Sequence, residues 1–128
     1  MTETHNILIV AENNSQRKFM VRALEDHLLR ADSAANCEAA HRQLLDGRFA
    51  AAVIDLTASL DAIDLIARIR AIPELGEMRL LVTGEWGTGQ PTLALSHGAD
   101  AYEPAPLEER RLIDSVERVL HHQAVVVE

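Results

Sequence analysis

The sequence predicts an α/β fold: a parallel sheet covered by helices on both faces. Three observations carry this. Short β-branched apolar runs without polar alternation recur at His5 to Ala11, Ala50 to Leu56 and Met78 to Thr83, as expected of strands buried on two sides. Segments with apolar residues at helical spacing alternate with them. The chain has 128 residues, enough for one good core and too few for two.

The elements follow in order. HNILIVA is the first strand. Asn13, Asn14 and Ser15 offer caps for a helix whose apolar side is Phe19, Met20, Ala23, Leu24 and Leu28. A weak strand is expected within Leu28 to Ala34. Asn36 can cap a second helix with Ala39, Ala40, Leu44 and Leu45 on its apolar side and Gly47 as its stop signal. AAAVIDL is the next strand. A third helix carries Ile63, Leu65, Ile66 and Ile69 and closes before Pro73, since the residue preceding a proline is disfavoured in helix. MRLLVT forms the fourth strand, and the loop EWGTGQP follows. A short helix over Thr92 to His97 ends at Gly98, and a fifth strand near Ala101 to Glu103 runs into Pro104 and Pro106. The last helix, Leu107 to His122, buries Leu112, Ile113, Val116, Val119 and Leu120. Residues 1–123 thus make one domain, and 124–128 an apolar tail or linker stub.

Composition narrows the function. A formal net charge of −8 argues against direct nucleic-acid binding, which needs a basic face. No apolar stretch approaches the ~18 residues of a membrane span. MTETHNILIV lacks the basic region of a signal peptide. The single cysteine, Cys37, excludes an internal disulfide framework and fits a reducing cytoplasm.

In open parallel sheets, sites form at the carboxyl ends of the strands. The residues to weigh are therefore Ala11 and Glu12, Asp55 to Thr57, Thr83 and Gly84, and Glu103 to Pro106. Glu12 and Asp55 end neighbouring strands in a doubly wound sheet, so two carboxylates would meet at one mouth. Such a pair suits a hard divalent cation such as Mg²⁺, and Thr83 adds a hydroxyl at the same rim. Acids, a metal and a hydroxyl donor outline a phosphate-handling site.

ILIVAENNSQRKFMVRALE, VIDLTASLDAIDLIARIR, IPELGEMRLLVTGE and GADAYEPAPLEERRLIDSVERVL resemble successive segments of the response-regulator receiver domain, the family of the chemotaxis regulator CheY. The resemblance covers nearly the whole chain in the right order. It implies a flavodoxin-like sheet of order 2-1-3-4-5 with five helices. It also implies a phosphoryl group taken from a histidine kinase onto an aspartate ending strand three, which by position is Asp55. Thr83 and Tyr102 match the switch hydroxyl and the switch aromatic. Glu12, Asp55 and the Thr57 carbonyl match the Mg²⁺ ligands.

The sequence also departs from that pattern. Where family members carry two acids after strand one, this chain has Ala11 and Glu12. The loop after Asp55 reads Ala58, Ser59 and Asp61-Ala62 in place of Met-Pro and Asp-Gly, and is one residue shorter. The lysine preceding Pro106 is replaced by Ala105. Phosphoryl transfer depends on positioning and on neutralising charge with metal and cation, so each loss is expected to remove roughly a few kcal/mol of transition-state stabilisation.

Other features are weaker. GEWGTGQPT spaces its glycines like a phosphate loop, but Gln90 stands where a lysine is needed and Pro91 intervenes, so a surface loop is expected. Trp86 lies in that loop, either as an interaction aromatic or folded over the loop's own base. Adjacent His121 and His122 point in different directions and cannot share a metal. Cys37 reads as a small packed side chain. Glu108, Glu109, Arg110 and Arg111 open the last helix acids first, which suits the helix dipole.

The first reading is an atypical, or pseudo-, receiver: a protein-interaction module of two-component phosphorelay signalling, not an enzyme beyond self-catalysed phosphoryl acceptance and loss. Its partners would be a histidine kinase or phosphotransfer protein and a downstream effector, and receivers also pair as homodimers through the last helix and strand. The alternative is a conventional Mg²⁺-dependent receiver phosphorylated on Asp55. A more distant one is a small-molecule-binding α/β domain using the strand-end crevice.

Overall fold

The computed structural model describes residues 6–56, 61–85 and 89–121, so His5, Thr57 to Ser59, Trp86, His122 and the tail from 124 lie outside the described residues. Five parallel strands form one sheet in the order β2-β1-β3-β4-β5. They are β1 (Asn6–Val10), β2 (Arg30–Ala34), β3 (Ala51–Asp55), β4 (Arg79–Gly84) and β5 (Ala101–Pro104). The helices are α1 (Asn14–Asp26), α2 (Cys37–Asp46), α3 (Asp61–Ala71), α4 (Gln90–His97) and α5 (Glu109–Leu120), with a one-turn 3₁₀ helix at Pro73–Leu75.

The apolar runs are strands because both of their faces are covered. Ile7 and Ile9 of β1, Ala51 and Val53 of β3 and Leu81 of β4 pack with α1 and α5 residues such as Met20, Leu24, Leu112 and Val116. Leu8 and Val10, Ala52 and Ile54, and Leu80 and Val82 face the other way, onto Leu44, Leu65, Ile66, Ile69 and Ala94. Each fully buried aliphatic side chain contributes roughly 1.5–3 kcal/mol. The caps are as the sequence indicates: the Asn13 side chain accepts from Gln16 N–H and that of Asn36 from Ala39 N–H, both at 2.8 Å. The weak signal of β2 has a plain cause. RADSA is an edge strand, exposed at Arg30, Asp32 and Ser33, and needs no apolar alternation.

At the amino end of the sheet Arg70 fastens three segments. Its guanidinium donates to the carbonyls of Gly98 (2.8 Å), Gly76 (2.9 Å) and Met78 (2.6 Å), and to Asp100 Oδ2 (2.9 Å). Asp100 in turn accepts Leu80 N–H at 2.7 Å. Gly98 is required at the end of α4: its φ is 122°, and a Cβ there would lie 2.7 Å from Arg70 Cγ.

Several expectations need correction. Leu28 does not continue the apolar side of α1 but is 88% exposed, with φ 66°. It closes a Schellman turn, in which Leu29 N–H reaches Leu24 O and Leu28 N–H reaches Glu25 O. Leu45, placed on the apolar side of α2, is likewise exposed, because Leu44 alone takes the inward position at that turn. Pro91 does not keep the chain in a loop: α4 begins at Gln90, where the first turn tolerates proline. The last helix is shorter than expected at both ends. The left-handed residue gives a test. Leu28→Gly should raise stability by about 1 kcal/mol in urea unfolding, since a glycine there carries no Cβ penalty; an unchanged or lower midpoint would contradict the strain.

Candidate functional site

Register assembles the site. Asp55 pairs with Thr83 across β3 and β4, and Thr83 with Glu103 across β4 and β5. Partners in register share a face, so all three side chains turn toward α1 and α5. Continuing the pairing of Val10 with Ile54 by one residue sets Ala11 beside Asp55 in the same row.

Asp55 is 6% exposed, and Thr83 Oγ1 donates to its Oδ1 at 2.9 Å. A buried carboxylate needs such donors, and one charge-assisted bond is worth about 1.5–3 kcal/mol. Ala11 is buried as well and brings no side-chain oxygen; its carbonyl accepts from Arg17 at 2.9 Å. Glu12 is exposed and borders a depression shared with Asn36, Cys37, Glu38, Asp64 and Arg68, whose lining does not include Asp55. Ala105, half-buried after β5, gives its N–H to the carbonyl of Gly84 at 2.7 Å.

Tyr102 lies on the opposite face and bends over the end of β4. Its hydroxyl donates toward the Glu85 carbonyl (2.7 Å) and Gln90 Oε1 (3.2 Å). Burial first, then the carboxylates of Asp55 and Glu85, push that hydroxyl up to about 12.

The resemblance implies a magnesium ion beside Asp55. Among the described residues no group of three His, Cys, Asp or Glu side chains is placed to hold a metal. Oxygen ligands are what Mg²⁺ demands, and here Ala11 supplies none while Asp55 Oδ1 already accepts from Thr83. The described residues do not by themselves fit the ion. Thr57, the expected carbonyl ligand, lies outside them.

No protein-family model matches the chain. Solved structures do. A candidate response regulator from Chloroflexus aurantiacus J-10-fl is similar with a TM-score of 0.88 at 22% identity, covering 94% of this chain and 100% of that one. The chemotaxis protein CheY4 of Vibrio cholerae gives 0.84 at 18% identity, over 91% and 99% of the two chains. The signal receiver domain of a signal transduction histidine kinase from Syntrophus aciditrophicus gives 0.83 at 21%, over 97% and 98%. The fold is that of a CheY-like receiver domain. At these identities the likeness is one of fold.

For two residues on this fold the sequence did not show what they touch. Glu103 is a carboxylate only 8% exposed under α5. Ser115 Oγ donates to its Oε1 at 2.7 Å, and an Arg111 nitrogen lies 2.7 Å from Oε2. The arginine is near enough to pair but not aligned, so Oε2 has no hydrogen bond. Arg111 thus does more than follow the helix dipole. The signal was the acid in AYEP, where a buried strand should be apolar. The second is Gln90, read only as a residue missing from a phosphate loop.

Two outcomes follow. Arg111→Ala should cost about 1–3 kcal/mol in urea unfolding by leaving a buried carboxylate uncompensated. A surface-like change below about 0.5 kcal/mol would show that the pair is solvated. For Tyr102, the folded value of about 12 exceeds the ordinary 10. The unfolded chain therefore loses its proton first, and stability falls as pH rises from about 10 through about 12. Alkaline unfolding of Tyr102→Phe should lack that component; coincident wild-type and variant curves would refute it.

Proposed function

We propose that the chain is a receiver-type module of two-component phosphorelay signalling that works chiefly through protein contacts, with phosphorylation of Asp55 weak or absent. The observation that carries this is Ala11: buried, in the same row as Asp55, without a side-chain oxygen to offer a metal, and with its carbonyl bonded to Arg17. Ala105 adds to it, because a methyl group replaces the cation that would neutralise an acyl phosphate. In this reading Asp55 occupies the phosphoacceptor position, and Thr83 and Tyr102 the switch positions. Glu12, Asp55 and the Thr57 carbonyl are the donors left for Mg²⁺, which they would hold weakly.

The contact face is built by α4, β5 and α5. Leu93 and Leu95 stand exposed on α4, and large apolar side chains on a helix surface suit a protein partner. That partner is a histidine kinase or phosphotransfer protein on the input side and an effector on the output side, and the last helix and strand also offer a homodimer surface. The chemistry is at most self-catalysed acceptance and loss of a phosphoryl group. The conventional receiver, phosphorylated on Asp55 with Mg²⁺, is the alternative, favoured by the Thr83–Asp55 hydrogen bond.

Intact mass and Trp86 fluorescence after incubation with millimolar Mg²⁺ and acetyl phosphate or beryllofluoride separate the two. The expected result is no stable adduct in the natural sequence. Ala11→Asp combined with Ala105→Lys should then raise the phosphorylated fraction at least about tenfold, given what single electrostatic groups supply elsewhere. A stable adduct in the unaltered protein, lost in Asp55→Asn, would overturn the proposal in favour of the conventional receiver.

A further inference from the structure

The end of β4 and the start of α4 are joined through one side chain. Gln90 Oε1 accepts Glu85 N–H at 3.1 Å and lies 3.2 Å from the Tyr102 hydroxyl. The same hydroxyl reaches the Glu85 carbonyl at 2.7 Å. Its single hydrogen is thus shared between two acceptors that face each other across the loop.

Gly84 makes room for this. A Cβ at that position would lie 2.4 Å from the Tyr102 hydroxyl and 2.8 Å from Gln90 Oε1. Both polar groups therefore fill space that any other residue at 84 would take for itself. The hydroxyl thus sits in the space left by Gly84, between the Glu85 carbonyl and the Gln90 side-chain oxygen. This arrangement exists with Asp55 unmodified and bonded to Thr83.

We propose that Gln90 is a positioning residue: its side-chain oxygen holds Tyr102 closed over Gly84 and ties α4 to the end of β4, without any modification of Asp55. The consequence deepens the contact-module reading and rests on it. The aromatic and the first turn of α4 belong to the contact face, so one amide sets the shape that a partner meets. The raised Tyr102 hydroxyl agrees, since a ring swung out to solvent would lose its desolvation and its nearness to Asp55 and Glu85.

Tyr102 is the only tyrosine in the chain, so its signals need no assignment among others. The first measurement is an NMR cross-peak between the Tyr102 ring and the Gly84 Hα, at neutral pH and without a phosphoryl donor. It should be present in the natural sequence, lost or strongly weakened in Gln90→Ala, and retained in Gln90→Glu, which keeps an acceptor oxygen at the same place. The second is phenolate absorbance within milliseconds of a pH jump, before alkaline unfolding. The midpoint of about 12 should fall toward the ordinary 10 in Gln90→Ala and in Gly84→Ala, whose methyl group competes for the hydroxyl's space. Circular dichroism identifies any variant that fails to fold. A cross-peak and midpoint unchanged in Gln90→Ala would overturn the proposal, as would a natural protein that titrates near 10. Because neither measurement contains a phosphoryl donor, the adduct assay decides the contact-module reading separately.

Discussion

Everything at the strand ends depends on the register of a sheet that is buried on both faces. In β1, β3 and β4 each successive side chain enters one of two different cores. A slip of one residue would exchange those cores wholesale, so the pairing cannot drift. That constraint sets Asp55 opposite Thr83 and Thr83 opposite Glu103, and it sets Ala11 next to Asp55. The site is a by-product of core packing carried to the last residue of each strand.

The row so formed carries two carboxylates and a hydroxyl. Thr83 Oγ1 donates to the Asp55 carboxylate, and methyl groups stand at Ala11 and Ala105, where the resemblance would put an acid and a lysine. Two arginines approach the row: Arg17 of α1 donates to the Ala11 carbonyl, and Arg111 of α5 pairs with Glu103. The Arg111–Glu103 pair ties α5 to β5, as Arg70 with Asp100 ties the end of α3 to the start of β4. The other face of β4 holds Tyr102 and Gln90 over Gly84, which makes the α4 end of the sheet a packed structure in its own right.

Much of the fold was legible because its signals are local. Unbroken apolar runs identified the buried strands, and Asn13 and Asn36 identified two helix starts through bonds made within a single turn. The errors fell where local pattern and tertiary position part. Leu28 continues the helical spacing of α1, yet the helix ends two residues earlier, at Asp26, and that side chain turns out. Leu45 fits the period of α2, yet the adjacent Leu44 already fills the core at that turn. The helix expected from Thr92 begins at Gln90, because proline is tolerated in a first turn.

The candidate site divides along the same line. The sequence by itself determined which residues stand at the carboxyl ends of the strands, since strand ends follow from apolar runs and turn residues. Asp55 and Thr83 stand out in this way, whereas Tyr102 and the departures at Ala11 and Ala105 come from the family resemblance alone. Only the tertiary structure decided what those residues touch. The Thr83–Asp55 bond joins residues 28 apart, and the bond from Tyr102 to Gln90 spans 12. Glu103 and Ser115 are likewise 12 apart, on a strand and a helix that meet only after the sheet has closed. Local pattern reports the face on which a side chain lies; a hydrogen bond also needs two elements brought within about 3 Å of each other, and that distance is a property of the packed sheet alone.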